Sequence, residues 1–204
     1  MADNRRMHAL LDEIAQAAAA LVVDEGLDYG PAKQRALKVL GLPPRTPLPD
    51  NDRVEAAVHE HIALFHADTQ PQALQSLRSL AADWMQRLQA FQPLLGGAVW
   101  HGTATALSDI HLQLFSDDPK AVELFLLNAG LDFDARTVTG LQGRAVEALS
   151  LVVRSPALPD GVGLHLLVND TLAQRGALQP DSQGRKPRGD LAAVQRLLQQ
   201  GAAA

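Results

Sequence analysis

Two ionisable side chains two residues apart are the strongest candidates for chemistry in this sequence. Asp109 and His111 alternate with apolar residues in the segment Ser108–Phe115. This period of two predicts a β-strand with one buried face, so both polar side chains lie on the other face. The glycine-containing stretch Gly96–Gly102 comes directly before this strand. A carboxylate and an imidazole beside a glycine-rich turn indicate a phosphate or metal site.

The segments that must position this pair form an α+β pattern with a small mixed sheet. Short apolar runs bounded by turn residues predict strands. Three of these runs alternate in a way that needs a shared core face, so we expect Leu94–Trp100, Ser108–Phe115 and Val162–Val168 to be neighbours in one sheet. A turn over Ser155–Gly161 precedes the last of them. The remaining predicted strands are Leu131–Val138 and Ala145–Val153.

Helices are predicted where apolar residues recur every three or four positions. Glycines are expected to close several of these helices, and Asp50 or Asn51 to cap one. The sequence therefore predicts an N-terminal helical region over residues 1–93, an α/β core over 94–175, and a basic loop with a C-terminal helix over 176–204. The predicted helices are 4–25 before Gly26, 31–40 before Gly41, one that begins after Asp50 or Asn51 and runs through Phe65, 72–91, one from Pro119 to Gly130, and 190–200.

Composition limits the kinds of partner and compartment. The 204 residues carry a net charge of −5, which provides no strong field for nucleic acid. The absence of cysteine excludes disulfides and thiolate metal sites and suits a reducing compartment. The apolar run at residues 15–23 is too short to cross a membrane and is followed by acidic residues. We therefore expect a cytoplasmic protein without a membrane partner; the oligomeric state is left open.

The segment Leu94–Val168 resembles the nucleotidyltransferase superfamily that shares its fold with DNA polymerase beta. Gly97-Ala98 matches the small pair that begins the family motif, Gly102-Thr103 matches a turn in the spacer, and Ser108-Asp109-Ile110 begins the acidic triplet. The chain departs from the motif at two positions. Ala98 stands where the family has serine, and His111 where it has a second carboxylate.

The resemblance implies a nucleotidyltransferase-type sheet in which three carboxylates hold two magnesium ions beside a nucleoside triphosphate. Asp109 supplies one carboxylate and would be the catalytic metal ligand. His165 is favoured for the third position, since the family's last core strand carries an acid there. The alternatives are Glu147, Asp132 and Asp134. With His165, the metal set is Asp109, His111 and His165, which suits zinc or manganese better than magnesium.

Three functions remain open on this sequence. The first is a degenerate or very weak nucleotidyltransferase, a pseudoenzyme that keeps a nucleotide or phosphate pocket. The second is a non-catalytic regulatory module for a nucleotide, RNA or protein partner. The third is a single-transition-metal site with another, hydrolytic, activity. The residues that would form the nucleotide pocket are Gly96, Gly97, Gly102, Thr103 and Ser108.

Two further clusters have weaker patterns. His59, His61 and His66 are two, five and seven residues apart, whereas metal-binding pairs on a helix are normally four apart. We therefore expect surface or partly buried histidines without a metal. The run Arg185-Lys186-Pro187-Arg188 is interpreted as a solubilising loop, with contact to phosphate or an RNA backbone as the alternative.

Overall fold

Helices and a five-stranded mixed sheet make up this chain, in agreement with the predicted α+β class. The structure is a computed structural model, and it describes residues 2–118, 120–180 and 184–201. The predicted helix start at Pro119 lies outside these residues. Within them, no helix combines the length and apolar character needed to cross a bilayer.

The chain forms two compact units, and their boundaries do not follow the predicted division at residues 93 and 175. Residues 72–102 pack with the sheet, and the short segment 103–107 packs with the N-terminal helices. We call the two parts the helical unit and the sheet unit. The helical unit is Met1–Pro71 with Thr103–Leu107, and the sheet unit is Gln72–Gly102 with Ser108–Ala204.

The helical unit is built on the predicted apolar stripes. Side chains at helical spacing, such as Ile14 and Ala18, are fully buried against the other helices of this unit. Asp50 accepts a hydrogen bond from the Arg53 backbone N–H at 2.8 Å, which satisfies a free donor at the helix start. Its helices are α1 Ala2–Glu25, α2 Tyr29–Val39 and α3 Asn51–Phe65, followed by α4 Gln70–Arg87, most of which belongs to the sheet unit.

The sheet has the strand order β1-β2-β5-β4-β3, which confirms that the three predicted motif segments are neighbours. The β2·β5 pair is parallel and the other pairs are antiparallel. The helices α5 Gly97–His101, α6 Lys120–Asn128 and α7 Leu191–Gly201 complete this unit. The strands are β1 Leu94–Gly96, β2 Ile110–Phe115, β3 Asp134–Thr139, β4 Ala145–Ser155 and β5 Leu158–Asn169.

The predicted strand Leu94–Trp100 is wrong in its second half, which forms α5. Gly97 has φ +66° and Gly102 has φ +87°, conformations that glycine adopts readily and that end an extended run. Arg78 on α4 donates hydrogen bonds to the carbonyls of Val99 and Trp100 at 3.1 and 3.2 Å. A distant guanidinium thus satisfies carbonyls at the end of α5 that would otherwise lack partners.

The predicted turn Ser155–Gly161 is also too long. Only Pro156 and Ala157 form the turn, and Ser155 pairs directly with Leu158. The register shifts between Val153 and Ser155, so the residues after Leu158 form an irregular part of β5. A bulge of this kind accommodates residues such as proline and glycine within a strand. Those residue types therefore misled the sequence interpretation.

Candidate functional site

A row of directly paired residues crosses all five strands on the less buried face of the sheet. Gly96 pairs with His111, His111 with His165, His165 with Ser150, and Ser150 with Asp134. Paired residues share a face, because side chains alternate along each strand. Their chain neighbours on β2 and β5, such as Ile110 and Leu164, are fully buried on the opposite face. The sheet thus places two imidazoles side by side on a partly exposed surface.

His165 is held at both ring nitrogens. Its Nε2 lies 3.0 Å from Asp109 Oδ2, and its Nδ1 lies 2.9 Å from Ser150 Oγ. The hydrogen bond from His165 is the main cause that lowers the pKa of Asp109 below its ordinary value, and burial opposes it. An ionised Asp109 can only accept, so Nε2 carries the proton. Nδ1 of the neutral ring then accepts from the Ser150 hydroxyl.

This Ser-His-Asp array has the residue types of a hydrolase triad, but Ser150 lacks an oxyanion site. It lies within β4, whose backbone groups pair with β3 on one side and β5 on the other. No strand N–H is therefore left beside Oγ to stabilise a tetrahedral intermediate. The array orients the ring of His165 rather than activating Ser150.

Gly163 allows Asp109 to approach the sheet closely. Its backbone N–H donates to Asp109 Oδ1 at 3.1 Å, and a Cβ at this position would lie 2.5 Å from the same oxygen. Real Cβ atoms do not come so close to a carboxylate oxygen. A glycine at residue 163 is thus required for Asp109 to reach His165.

Gly163→Ala is therefore expected to displace Asp109 from His165 and to lower the free energy of unfolding by less than about 1 kcal/mol, because the atoms in the way are the end of a half-exposed side chain. Urea denaturation and the imidazole NMR resonances of His165 measure the two effects. Gly30→Ala is the control, because a Cβ there would meet nothing within 4 Å. Unchanged His165 resonances in Gly163→Ala would contradict the close approach.

Asp109 should make stability depend on pH in the acid range. The pKa of Asp109 is lower in the folded protein than in the unfolded chain, where it is about 3.9. Asp109 therefore stabilises the fold above about pH 3.9, and this stabilisation is lost as pH falls through the folded pKa. The side chain is 48 % exposed, so the contribution is below about 1 kcal/mol. Denaturation of wild type and Asp109→Asn from pH 6 to pH 2.5 measures it. A stability difference that persists to the lowest pH would contradict this assignment.

His111 stacks on His165, with ring centroids 4.8 Å apart and ring planes at 23°. The predicted metal set Asp109, His111 and His165 therefore comes together as a hydrogen-bonded and stacked group. Among the described residues, however, Asp109, His111 and His165 do not each offer a ligand atom within 4.8 Å of the other two. Asp109 is a single carboxylate that is hydrogen-bonded to an imidazole. It cannot provide the oxygen ligands and negative charge that a pair of magnesium ions needs.

The other residues considered for the third ligand are not brought to Asp109. Glu147 pairs with Val168 and so lies on the buried face, 3.8 Å from Lys120 of α6. Burial raises the pKa of Glu147, and Glu123 nearby adds to this effect. Asp134 shares the row but is two strands away from β5, and Asp132 lies in the loop before β3.

The predicted pocket residues separate into two groups. Gly96 pairs with His111, and a Cβ at Gly97 would lie 3.6 Å from the His111 ring, so both glycines border the imidazole. Thr103 is 2 % exposed, and its hydroxyl is buried without a hydrogen-bond partner, so it cannot reach a phosphate in solvent. A Cβ at Gly102 would face Arg78 rather than His111. Ser108 comes directly before Asp109 in the chain and is half-buried.

The basic segment 185–188 is fixed beside β1, a position that its sequence did not reveal. Gly189 forms a two-bond bridge with Leu95, and the Trp100 indole N–H donates to the Lys186 carbonyl at 2.7 Å. Arg188 lies over Gly96 and donates to the Ala177 carbonyl at 3.2 Å. The tail therefore places the Arg188 side chain next to Gly96, which pairs with His111. Gly189 and Trp100, which hold it, were not singled out from the sequence.

A cleft of the sheet unit lies away from the Asp109 group. It measures about 620 Å³ and is bordered by Leu94 and the segment 171–180. Leu94 pairs with Gln113, so the cleft is towards the end of β2, whereas Asp109 precedes its start. The row of imidazoles is thus an open surface rather than an enclosed cavity.

Comparison of the sequence with known protein families gave no match, and comparison with individual curated proteins gave none.

Proposed function

We propose that the sheet unit is a nucleotidyltransferase-type domain that binds the phosphate groups of a nucleotide and does not carry out two-metal transfer. The register of β2 and β5 carries this proposal. It places His165 directly beside His111, with Asp109 hydrogen-bonded to His165. In the family that the sequence resembles, the corresponding positions hold carboxylates on adjacent strands. The pairing of β2 with β5 supports the same sheet architecture as in that family. The two histidines in place of carboxylates support phosphate binding rather than metal-dependent transfer.

The charge of the group argues for an anion as ligand. Three carboxylates would give −3 and attract magnesium, whereas two imidazoles in place of two of them leave only the single negative charge of Asp109. The Arg188 side chain, which lies over Gly96, adds a positive charge beside β1. A Cβ at Gly96 would lie 3.5 Å from Arg188 and one at Gly97 3.6 Å from His111, so a basic side chain and an imidazole adjoin the same turn. The exposed edge of the row therefore suits the polyphosphate of a nucleotide better than a metal ion.

Titration with ATP in metal-free buffer tests the proposal. The titration is carried out at pH 6. Asp109→Asn removes a negative charge and should tighten binding, whereas His111→Ala should weaken it, each by roughly fivefold. His59→Ala on α3 is the matched control, because this histidine is exposed and belongs to the helical unit.

Equal affinities in all four proteins, or no binding at pH 6, would overturn the proposed nucleotide site. Salt dependence provides a second check, since attraction between an exposed cationic surface and a triphosphate is screened by added salt. Affinity that does not change between low and high ionic strength would contradict the role of charge.

Turnover is expected to stay at background with magnesium and each of the four ribonucleoside triphosphates. A single carboxylate cannot hold the two ions that activate the attacking hydroxyl and stabilise the leaving pyrophosphate. Pyrophosphate release by wild type and Asp109→Asn should therefore be equal. Release that depends on both Asp109 and magnesium would show that transfer chemistry survives.

A further inference from the structure

Three metal-ligating side chains converge in the helical unit. His66 Nε2 lies 3.0 Å from Asp24 Oδ1, and His61 Nε2 lies 3.3 Å from Asp24 Oδ2. Each residue offers a ligand atom within 4.8 Å of the other two, a property that no other three residues of this kind share in the described ranges. Asp24 is in the last turn of α1, and both histidines are at the end of α3.

The local backbone explains how histidines five residues apart reach the same carboxylate. His61 is in the last turns of α3, but His66 is the residue that follows the helix, with φ −131° and ψ 17°. This non-helical conformation turns its ring to the side of His61. The His66 carbonyl accepts hydrogen bonds from the Thr69 and Gln70 backbone N–H groups, at 3.2 and 2.9 Å, which fixes the turn. The expectation of metal-free histidines assumed that all three residues lie on one helix. His66 lies after the end of α3, so helical spacing does not apply to it.

The two separations from Asp24 are close to those in a tetrahedral zinc site. Ligand atoms at about 2.0–2.1 Å from zinc lie about 3.3–3.4 Å from one another when the angles are tetrahedral. The Asp24 to histidine separations of 3.0 to 3.4 Å fall close to this range. Without an ion, the Asp24 carboxylate and the two imidazoles are joined by direct hydrogen bonds.

Burial and donor type are also suitable. The His61 side chain is 17 % exposed, His66 34 % and Asp24 48 %, so the group is anchored in the protein and open to solvent on one side. The Phe65 ring lies 4.7 Å from the His61 ring and covers one face of it. Two imidazoles and one carboxylate suit a borderline divalent ion such as Zn²⁺, with water as the fourth ligand.

We propose that Asp24, His61 and His66 form a single-site transition-metal centre that joins the ends of α1 and α3. Zn²⁺ is the ion assigned to it, and it would add a link between two helices that also share apolar contacts and the Asp12–Arg53 ion pair. The site is independent of the nucleotide-binding proposal, because none of its residues belongs to the sheet unit.

Titration of the full chain with Zn²⁺ after treatment with a chelator tests this centre. Wild type should bind one equivalent with a rise in melting temperature. Asp24→Asn, His61→Ala and His66→Ala should each weaken binding by at least about tenfold, the loss that even outer-shell partners of metal ligands produce. His59→Ala, on an exposed part of the same helix, should bind like wild type. Co²⁺ should give the visible absorption of a tetrahedral ion in wild type and His59→Ala, and should not do so in the Asp24, His61 and His66 variants.

A second variant separates this site from the sheet. The double variant His111→Ala/His165→Ala should retain the Zn²⁺ affinity and the Co²⁺ spectrum of wild type. Loss of both signals in that variant, with retention in His61→Ala, would overturn the assignment and move the ion to the sheet unit. Equal affinities in His59→Ala and His61→Ala, or no binding by folded wild type, would also overturn it. Circular dichroism of each metal-free variant confirms that binding is compared between folded proteins.

Discussion

Replacement of both His111 and His165 by aspartate should create a magnesium site with at least about 100-fold higher affinity than wild type. The two positions pair directly across the parallel strands, and Asp109 already reaches His165 from the start of β2. Three carboxylates would then lie on one face of adjacent strands. Their net charge of −3 attracts a hard divalent ion, which prefers oxygen ligands.

The same variant should be less stable than wild type when no metal is present. Carboxylates that repel one another have raised pKa values in the folded state. Their penalty is absent at low pH and grows as pH rises through the folded pKa values, opposite to the behaviour expected for Asp109 in wild type. Magnesium should restore the lost stability by mass action.

Isothermal titration with Mg²⁺ and thermal unfolding with and without the ion measure these effects. His111→Asn/His165→Asn is the matched control, because it has nearly the same shape and no added charge. If the aspartate variant binds magnesium no better than the asparagine variant, the three positions do not share a centre. The nucleotidyltransferase-type arrangement would then be rejected, whatever the outcome of the ATP titration.

Gly189→Ala is expected to cost about 1–3 kcal/mol of stability and to release the basic segment from β1. A Cβ at this position would overlap the ring of Trp100. The backbone cannot move away without losing both hydrogen bonds to Leu95, at 2.8 and 2.9 Å. The strain must therefore displace the indole or break the bridge, and either change moves Lys186 and Arg188.

A double-mutant cycle with Trp100→Ala isolates this contact. In the Trp100→Ala background the added methyl has space, so the cost of Gly189→Ala should largely disappear. ATP affinity at pH 6 should fall in Gly189→Ala, because the Arg188 side chain leaves the neighbourhood of Gly96. Additive stability losses in the cycle would show that the ring and the glycine do not interact. Unchanged ATP affinity would remove the basic segment from the proposed site.

The sequence by itself determined most helices and the core strands. Apolar stripes at helical spacing predicted α1 and α3, and period-two alternation predicted β2 and the regular part of β5, because those patterns depend only on local geometry and one buried face. The same alternation placed Asp109 and His111 on one face, whereas His165 was indicated as their neighbour by the resemblance to the nucleotidyltransferase superfamily. These residues are close in the structure because the strand pairing that their burial pattern requires has formed.

Only the tertiary structure decided how distant groups change local conformation and meet. Residues 97–101 form a helix because Arg78 of another helix binds its terminal carbonyls, a contact that no local pattern contains. Glu147 is excluded from the Asp109 group because strand register places it on the buried face. Asp24 joins His61 and His66 because α1 packs on α3 and the chain leaves its helical path at His66. Spacing along the chain predicts which side chains share an element, whereas packing between elements decides which of them share a site.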